Sequence, residues 1–393
     1  MPSAAHRAAL ALALVATGVG VLGCGDDPTG EKAGASKFAV YLGVPTRGPW
    51  GPQGLAISAG AELGLADSGG GAGAFSLRLS ERDVTDDDGI AVGVAGAARE
   101  AGVVLRDAGA IGAISGLSAV SVREFGLLAA QTGVSFVDAS GDDVRESQAD
   151  LQPRGRRSYI DLSPTDAAVQ RGLADRAEAA GCRRTVVADA RSAAAGPAYD
   201  LSALRPVASA HATSWTDAGL RKRVAGALTG RTDCLVLSGD PSGGEPAGLL
   251  RSLGTRLKGR TVLLSRGAAS QATARLVREE GLKAEAVVDD VVPDATPEGR
   301  RIDALYLRKH HTPAPVGVIS GWRSVKLVLR GLGAAGAKGN RRDGVVAAFV
   351  KVPVPGPPAQ GRQNADGTIT TPALSVARAE SYGWRAVRAI DSR

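Results

Sequence analysis

Large rings are scarce in this sequence: five Phe, five Tyr and four Trp make up 4% of its 393 residues. The apolar fraction is nonetheless 44%, that of a globular protein, so the core must be filled by Ala, Val, Leu and Gly. Such small side chains favour helices packed closely on parallel strands. Cysteine and histidine are scarce too, with three and four copies, and none stand at the spacing of a metal site. His310 and His311 are adjacent, so on a helix they point apart. The acidic run 83–89 lacks the alternating ligands and terminal Glu of a calcium loop. Residues 116–120 approach a nucleophile elbow without its second Gly, and the Gly-rich stretch 69–73 is followed by no Lys with Ser or Thr. No metal, cofactor or catalytic activity is therefore expected. The formal net charge of +7 is spread among Asp and Glu rather than gathered in a stripe, which argues against nucleic acid as a partner.

Long hydrophobic runs are also lacking, with one exception at the start. Residues 8–22 are apolar, broken only by Thr17, Gly18 and Gly20, and Arg7 is the one formal charge among the first 23. This reads as a secretory signal over 1–23, since a spanning helix takes about 20 apolar residues with anchoring flanks. The run ends in Val21, Leu22, Gly23 and Cys24, which resembles the bacterial lipobox. Cys24 is then expected to be the lipidated N-terminus; two acyl chains at roughly 0.8 kcal/mol per buried methylene anchor stably. The alternative is a plain signal peptide beside an incidental cysteine. Residues 24–36 are polar and aperiodic, as suits a flexible tether.

Cys182 and Cys234 each stand just before an apolar run, at 185–188 and 235–237. If those runs are neighbouring strands, the two meet, and an exported protein would oxidise them to a disulfide; two buried thiols are the other reading.

From 37 onward, short apolar runs alternate with amphipathic stretches of helical length, the pattern of strand and crossover helix. Strands are expected at 38–44, 75–79, 110–115 and 134–138, then, beyond a polar Arg-rich stretch, at 185–189, 206–210, 234–238, 261–265 and 284–289. Helices are expected between most of them and at 297–310 and 316–335. A further strand is expected at 345–354, and strands again within 368–390. The fold class is α/β, with two doubly wound parallel-sheet lobes joined by a hinge. Lobe 1 is expected over 37–160 and lobe 2 over 161–292. Ligands in open parallel sheets bind beyond the carboxyl ends of the strands, so the loops there are the place to look.

The loop after the first strand reads Pro45, Thr46, Arg47, Gly48, Pro49, Trp50, Gly51, Pro52, Gln53, Gly54, and the following helix holds Gly60, Ala61, Glu62 and Leu63. With Asp83 and 86–88, Ser115 to Ser118, 134–141, and Ser163 to Asp166, this resembles the type I periplasmic binding proteins, in the branched-chain amino-acid-binding branch that serves ABC importers. The resemblance runs from about Lys37 to the end. It implies three crossings between the lobes, with lobe 1 completed by about 293–350 and lobe 2 by about 351–393, and closure around a ligand at the hinge.

Several site residues follow from the resemblance. Ser118 matches a hydroxyl that holds a ligand carboxylate, and as a Ser ahead of a helix it also suits an N-cap. Ser140 and Gly141 match the loop whose backbone receives that carboxylate, although Asp142 stands where a hydroxyl residue is usual. Asp166 matches a position that receives the ligand ammonium; alternatively Ser163 as N-cap, Pro164 and Asp166 simply start a helix. Trp50, in a Gly/Pro loop, suits a ring covering the ligand at the cleft edge, or a packing role. In the second lobe the pattern departs: Ser238 stands near where a Tyr is common and Arg266 where an acid is common. Arg266 suits an anion by its planar fork, or the surface. The implied function is capture of a small polar ligand, an amino acid or similar, for an ABC permease. The alternative is a ligand-sensing or interaction lipoprotein of the same fold whose partner is a membrane sensor protein.

Overall fold

The computed structural model describes residues 37–87, 89, 92–139, 157–196 and 198–390. The expected signal, Cys24 and tether, together with Ser140, Gly141 and Asp142, lie outside the described residues.

The chain opens with β1 (Lys37–Val44), a run that is buried on both faces from Phe38 to Val44 and therefore reads as continuously apolar. Helix α1 (Gly51–Ala66) returns it to β2 (Gly71–Ala72) and β3 (Phe75–Asp83); α2 (Val94–Arg106), β4 (Ala110–Ser115), α3 (Ala119–Gln131), β5 (Ser135–Asp138) and β6 (Tyr159–Asp161) follow. These strands form one sheet in the order β2-β3-β1-β4-β5-β6, parallel except for the short β2.

The chain then enters α4 (Asp166–Ala179), β7 (Thr185–Ala190), β8 (Ala208–Ala212), α5 (Ala218–Ala227), β9 (Cys234–Gly239), α6 (Ala247–Leu253), β10 (Thr261–Ser265), α7 (Gln271–Glu279) and β11 (Lys283–Val288). It crosses back for α8 (Pro297–His310), α9 (Val318–Ala335) and α10 (Arg342–Phe349), and ends in β12 (Ser375–Glu380) and β13 (Gly383–Ala389). The second sheet runs β13-β12-β11-β10-β9-β7-β8, parallel but for the two C-terminal strands, which pair antiparallel at one edge. Two parallel-dominated sheets with helices on their faces make the expected two-lobed α/β architecture.

The late helices belong with the first sheet. On α9, Val325, Val328 and Leu332 join the core of Val40, Leu42 and Ile57. Glycine makes this approach possible: a Cβ on Gly60 would lie 1.9 Å from the Val318 carbonyl oxygen, and one on Gly321 would lie 1.9 Å from that of Ile57. With so few rings to fill space, α1 and α9 touch backbone to backbone.

Three expectations change. The stretch 345–354 is not a strand: α10 takes up its first half, with Val345, Val346 and Phe349 buried on one helical face, a spacing that a run of valines disguises as β. Strand β6 lies at the end of the polar segment and was not anticipated; three buried residues are too short a pattern to stand out. The C-terminal return to the second sheet begins later than 351, since Val354 and Ile369 pack in the first lobe's core. Cys182 and Cys234 are disulfide-bonded with Cα atoms 5.6 Å apart, because the register sets Cys234 opposite Thr185 and the turn after α4 brings Cys182 alongside.

Candidate functional site

Loops leaving the carboxyl ends of the two sheets meet across a cleft, and hydrogen bonds join them directly. After β1 the chain turns through Pro45 to Trp50 into α1. The Trp50 ring is 1% exposed, and its Nε1–H donates to the carbonyl of Gly244 in the second lobe, 3.1 Å away. One turn further, Gln53 Nε2 donates to the Ala269 carbonyl at 2.6 Å, while its own Oε1 is buried without a partner.

After β4, Leu117 takes a φ of 74°, unusual for a bulky side chain, and this sharp turn sets Ser118 at the start of α3. The Ser118 hydroxyl accepts the Val120 N–H at 3.2 Å, as an N-cap does, and donates to Asp240 Oδ1 at 2.8 Å. The Ala119 N–H donates to Asp240 Oδ2 at 3.0 Å. Asp240 follows β9 in the other lobe and is wholly buried. A carboxylate at a helix N-terminus meets both free N–H groups and the positive end of the helix dipole. Further along α3, Arg123 donates to the Ala194 carbonyl at 2.9 Å, and Ala119 and Val120 pack on Ala195. Beside the closed seam lies a hollow of about 390 Å³, walled by Gly48, Pro49 and Pro52 of one lobe and Gln271, Arg275 and Glu380 of the other.

Behind the seam is the hinge. Asp290, just past β11, accepts the N–H of Gly317 at 2.6 Å and of Val291 at 2.7 Å, and the Ser320 hydroxyl at 3.3 Å. Burial pushes its carboxyl up to about 6, against these hydrogen bonds and with help from neighbouring Asp289. Arg323, 1% exposed on α9, is pushed down to about 10 by burial and opposed by Asp290. Its guanidinium donates to the carbonyls of Pro355 at 3.2 Å and Thr371 at 3.5 Å, on the last crossing.

The expected site residues fall into groups. Trp50 and Ser118 stand at the seam, each bonded to the opposite lobe. Ser238 and Arg266 are buried supports inside the second lobe: Ser238 donates to Asp189 Oδ1 at 2.9 Å, and Arg266 pairs with Asp289. Arg266 is thus not on the surface, and both have internal partners where a ligand contact was expected. Asp166 is the first residue of α4 and half-buried; Thr165 rather than Ser163 is the N-cap, accepting the Ala168 N–H at 3.0 Å, while the Ser163 N–H is bound by Asp161. Sequence reasoning missed Gln53 and, above all, Asp240. Its signal was an Asp directly after a strand and ahead of Pro241, in a loop at the carboxyl end.

No family model and no curated protein matches the chain. Among solved structures, it is similar to an ABC transporter solute-binding protein from R. palustris in complex with benzoate, at 16% identity over 91% of this chain and 98% of that one, with a TM-score of 0.71. It is similar also to the branched-chain amino acid substrate-binding protein LivJ of Streptococcus pneumoniae in complex with isoleucine, at 12% identity over 90% and 99%, TM-score 0.70. The leucine-binding protein LivK of Thermotoga maritima gives 14% over 90% and 98%, TM-score 0.68. The chain has the two-lobed fold of the type I periplasmic binding proteins. These neighbours are solute-binding proteins rather than enzymes. No helix among the described residues is long and apolar enough to cross a membrane.

Proposed function

We propose that this chain is an extracytoplasmic solute-binding protein that captures a small polar solute between its lobes, performs no chemistry on it, and presents it to an ABC permease. The observation that carries this is the cleft itself: carboxyl-end loops of two parallel sheets, bridged by direct bonds, in a fold shared with proteins that hold isoleucine and benzoate. Closing two lobes on a solute turns binding energy into a shape that a membrane partner can read. Lipid on Cys24 would keep the protein at the membrane surface, with 24–36 as the tether.

A thermal-shift screen of the purified protein against amino acids, small carboxylates, amides, polyamines and sugars tests the reading. A solute at 100 times its Kd adds about 2.7 kcal/mol of stability. A cooperative melt that no solute raises would overturn it. One observation favours a second reading, a sensing or interaction lipoprotein of the same fold that docks on a membrane sensor: the helix terminus at the centre of the seam is already filled by a carboxylate of the chain itself.

A further inference from the structure

We propose that Asp240 is a specificity-determining latch: its carboxylate occupies the anion seat at the start of α3, holds the lobes closed without solute, and turns carboxylate-bearing solutes away. The proposal rests on the solute-capture reading for its second half and on geometry alone for its first.

The seat belongs to one lobe and its occupant to the other. The Ser118 hydroxyl and the Ala119 N–H bind the two carboxylate oxygens separately, in the manner of a forked donor, at 2.8 and 3.0 Å. The carboxylate is also rigidly mounted. Asp240 Oδ1 accepts the Ser242 N–H at 2.8 Å, its own N–H is bound by the Ala190 carbonyl at 3.2 Å, and a Cβ on Gly267 would lie 1.9 Å from the carbonyl of the preceding Gly239. The fixed backbone and the Ser242 N–H together hold the carboxylate toward α3. A free carboxylate competes for the same two donors and meets the negative charge of Asp240 as well. The solutes that fit the closed cleft are therefore neutral or cationic at the end that faces α3.

Two substitutions separate latch from scaffold. Asp240→Asn keeps an acceptor for Ser242 but turns an amide N–H₂ toward a donor of α3; Asp240→Ala empties the seat. In carboxylate-free buffer, small-angle scattering should find the wild type compact and both variants open, the closed fraction falling about tenfold or more for the loss of charge-assisted bonds. Acetate or formate at millimolar concentration should reclose Asp240→Ala and leave the wild type unchanged, while acetamide does nothing. Asp240→Ala should also bind acetate, benzoate or isoleucine at least tenfold more tightly than the wild type does. Cooperative melting and the intact disulfide certify the fold of each variant, and Ser118→Ala, which removes a donor from the opposite lobe, should open the protein in the same direction. A wild type that is open without solute, or variants that stay closed, would overturn the latch. A wild type that binds these carboxylates as tightly as Asp240→Ala would overturn the specificity. The rescue by acetate is read without any natural solute, so a failed solute screen leaves it standing and a failed rescue leaves solute capture standing.

Discussion

The lobes meet in two places, the hinge and the seam across the cleft, and these are held by different means. At the hinge, Asp290 and Arg323 are buried ionisable groups whose partners are largely backbone amides and carbonyls of the crossings themselves. Backbone partners cannot leave, so the cost of burying charge is tolerated permanently, and it shows in a carboxyl pushed up to about 6 and a guanidinium pushed down to about 10. At the seam, the bonds of Trp50, Gln53, Ser118 and Arg123 each run from one lobe to a single acceptor on the other. The neutral ones exchange with water at a net cost of about 1 kcal/mol each, and the charge-assisted bond to Asp240 at about 1.5–3. The difference separates a joint fixed by backbone partners from a contact whose bonds water can replace.

The strongest way to break the comparison is at the hinge. Arg323→Ala strands the buried Pro355 and Thr371 carbonyls and removes a positive charge near Asp290, so urea unfolding should show a loss of roughly 3–5 kcal/mol, about 1–3 for each stranded acceptor. A loss under about 1 kcal/mol would place the hinge charge on the same footing as the seam. Reduction of the Cys182–Cys234 disulfide, which spans 52 residues, should cost about 2–4 kcal/mol in the same assay while leaving lobe closure by scattering unaltered, because the bond lies at the amino ends of the strands, away from the cleft.

Asp290→Asn sharpens the comparison through pH. The folded carboxyl is raised above its unfolded value near 4, so its contribution is fully present below about 4 and is lost as pH rises through about 6. The wild type should therefore lose up to about 3 kcal/mol relative to Asp290→Asn between those limits, and melts at pH 4, 5, 6 and 7 should show the gap change there and level off above. A gap independent of pH would mean that Asp290 titrates as an ordinary carboxyl. Smallest is Trp50→Phe at the seam, which keeps most of the ring and removes one bond worth about 1 kcal/mol. It should lower the closed-to-open ratio about fivefold in scattering with little effect on the urea midpoint of either lobe.

The architecture was legible because buried parallel strands announce themselves. Runs such as Phe38 to Val44 and Thr261 to Ser265 are apolar throughout and bounded by turns, and the alternation with helices leaves few topologies. Where pattern was short or ambiguous, it failed: β6 is three residues long, and the valines of α10 suit either period. The site was legible only on one side. Ser118 and Trp50 sit in loops whose composition marks them, but their partners Asp240 and Gly244 lie 122 and 194 residues further on, and no local pattern encodes a bond across two lobes. The surroundings of Ser238 and Arg266 were hidden for a related reason: each meets a carboxylate of its own lobe, Asp189 or Asp289, that strand pairing brings alongside.

Trp50 carries a consequence of its own. Among four indoles, it is the one whose N–H is bound by the opposite lobe; Trp384 is bound within the second lobe, to the Ser270 carbonyl at 2.9 Å, and Trp215 and Trp322 are buried with Nε1 unbonded. Parting the lobes would break the bond from Trp50 to Gly244 and expose its ring to water, whereas Trp384 keeps its bond to Ser270 within the second lobe. The protein therefore carries a built-in optical gauge of its own opening, readable as a red shift of intrinsic emission without any label attached.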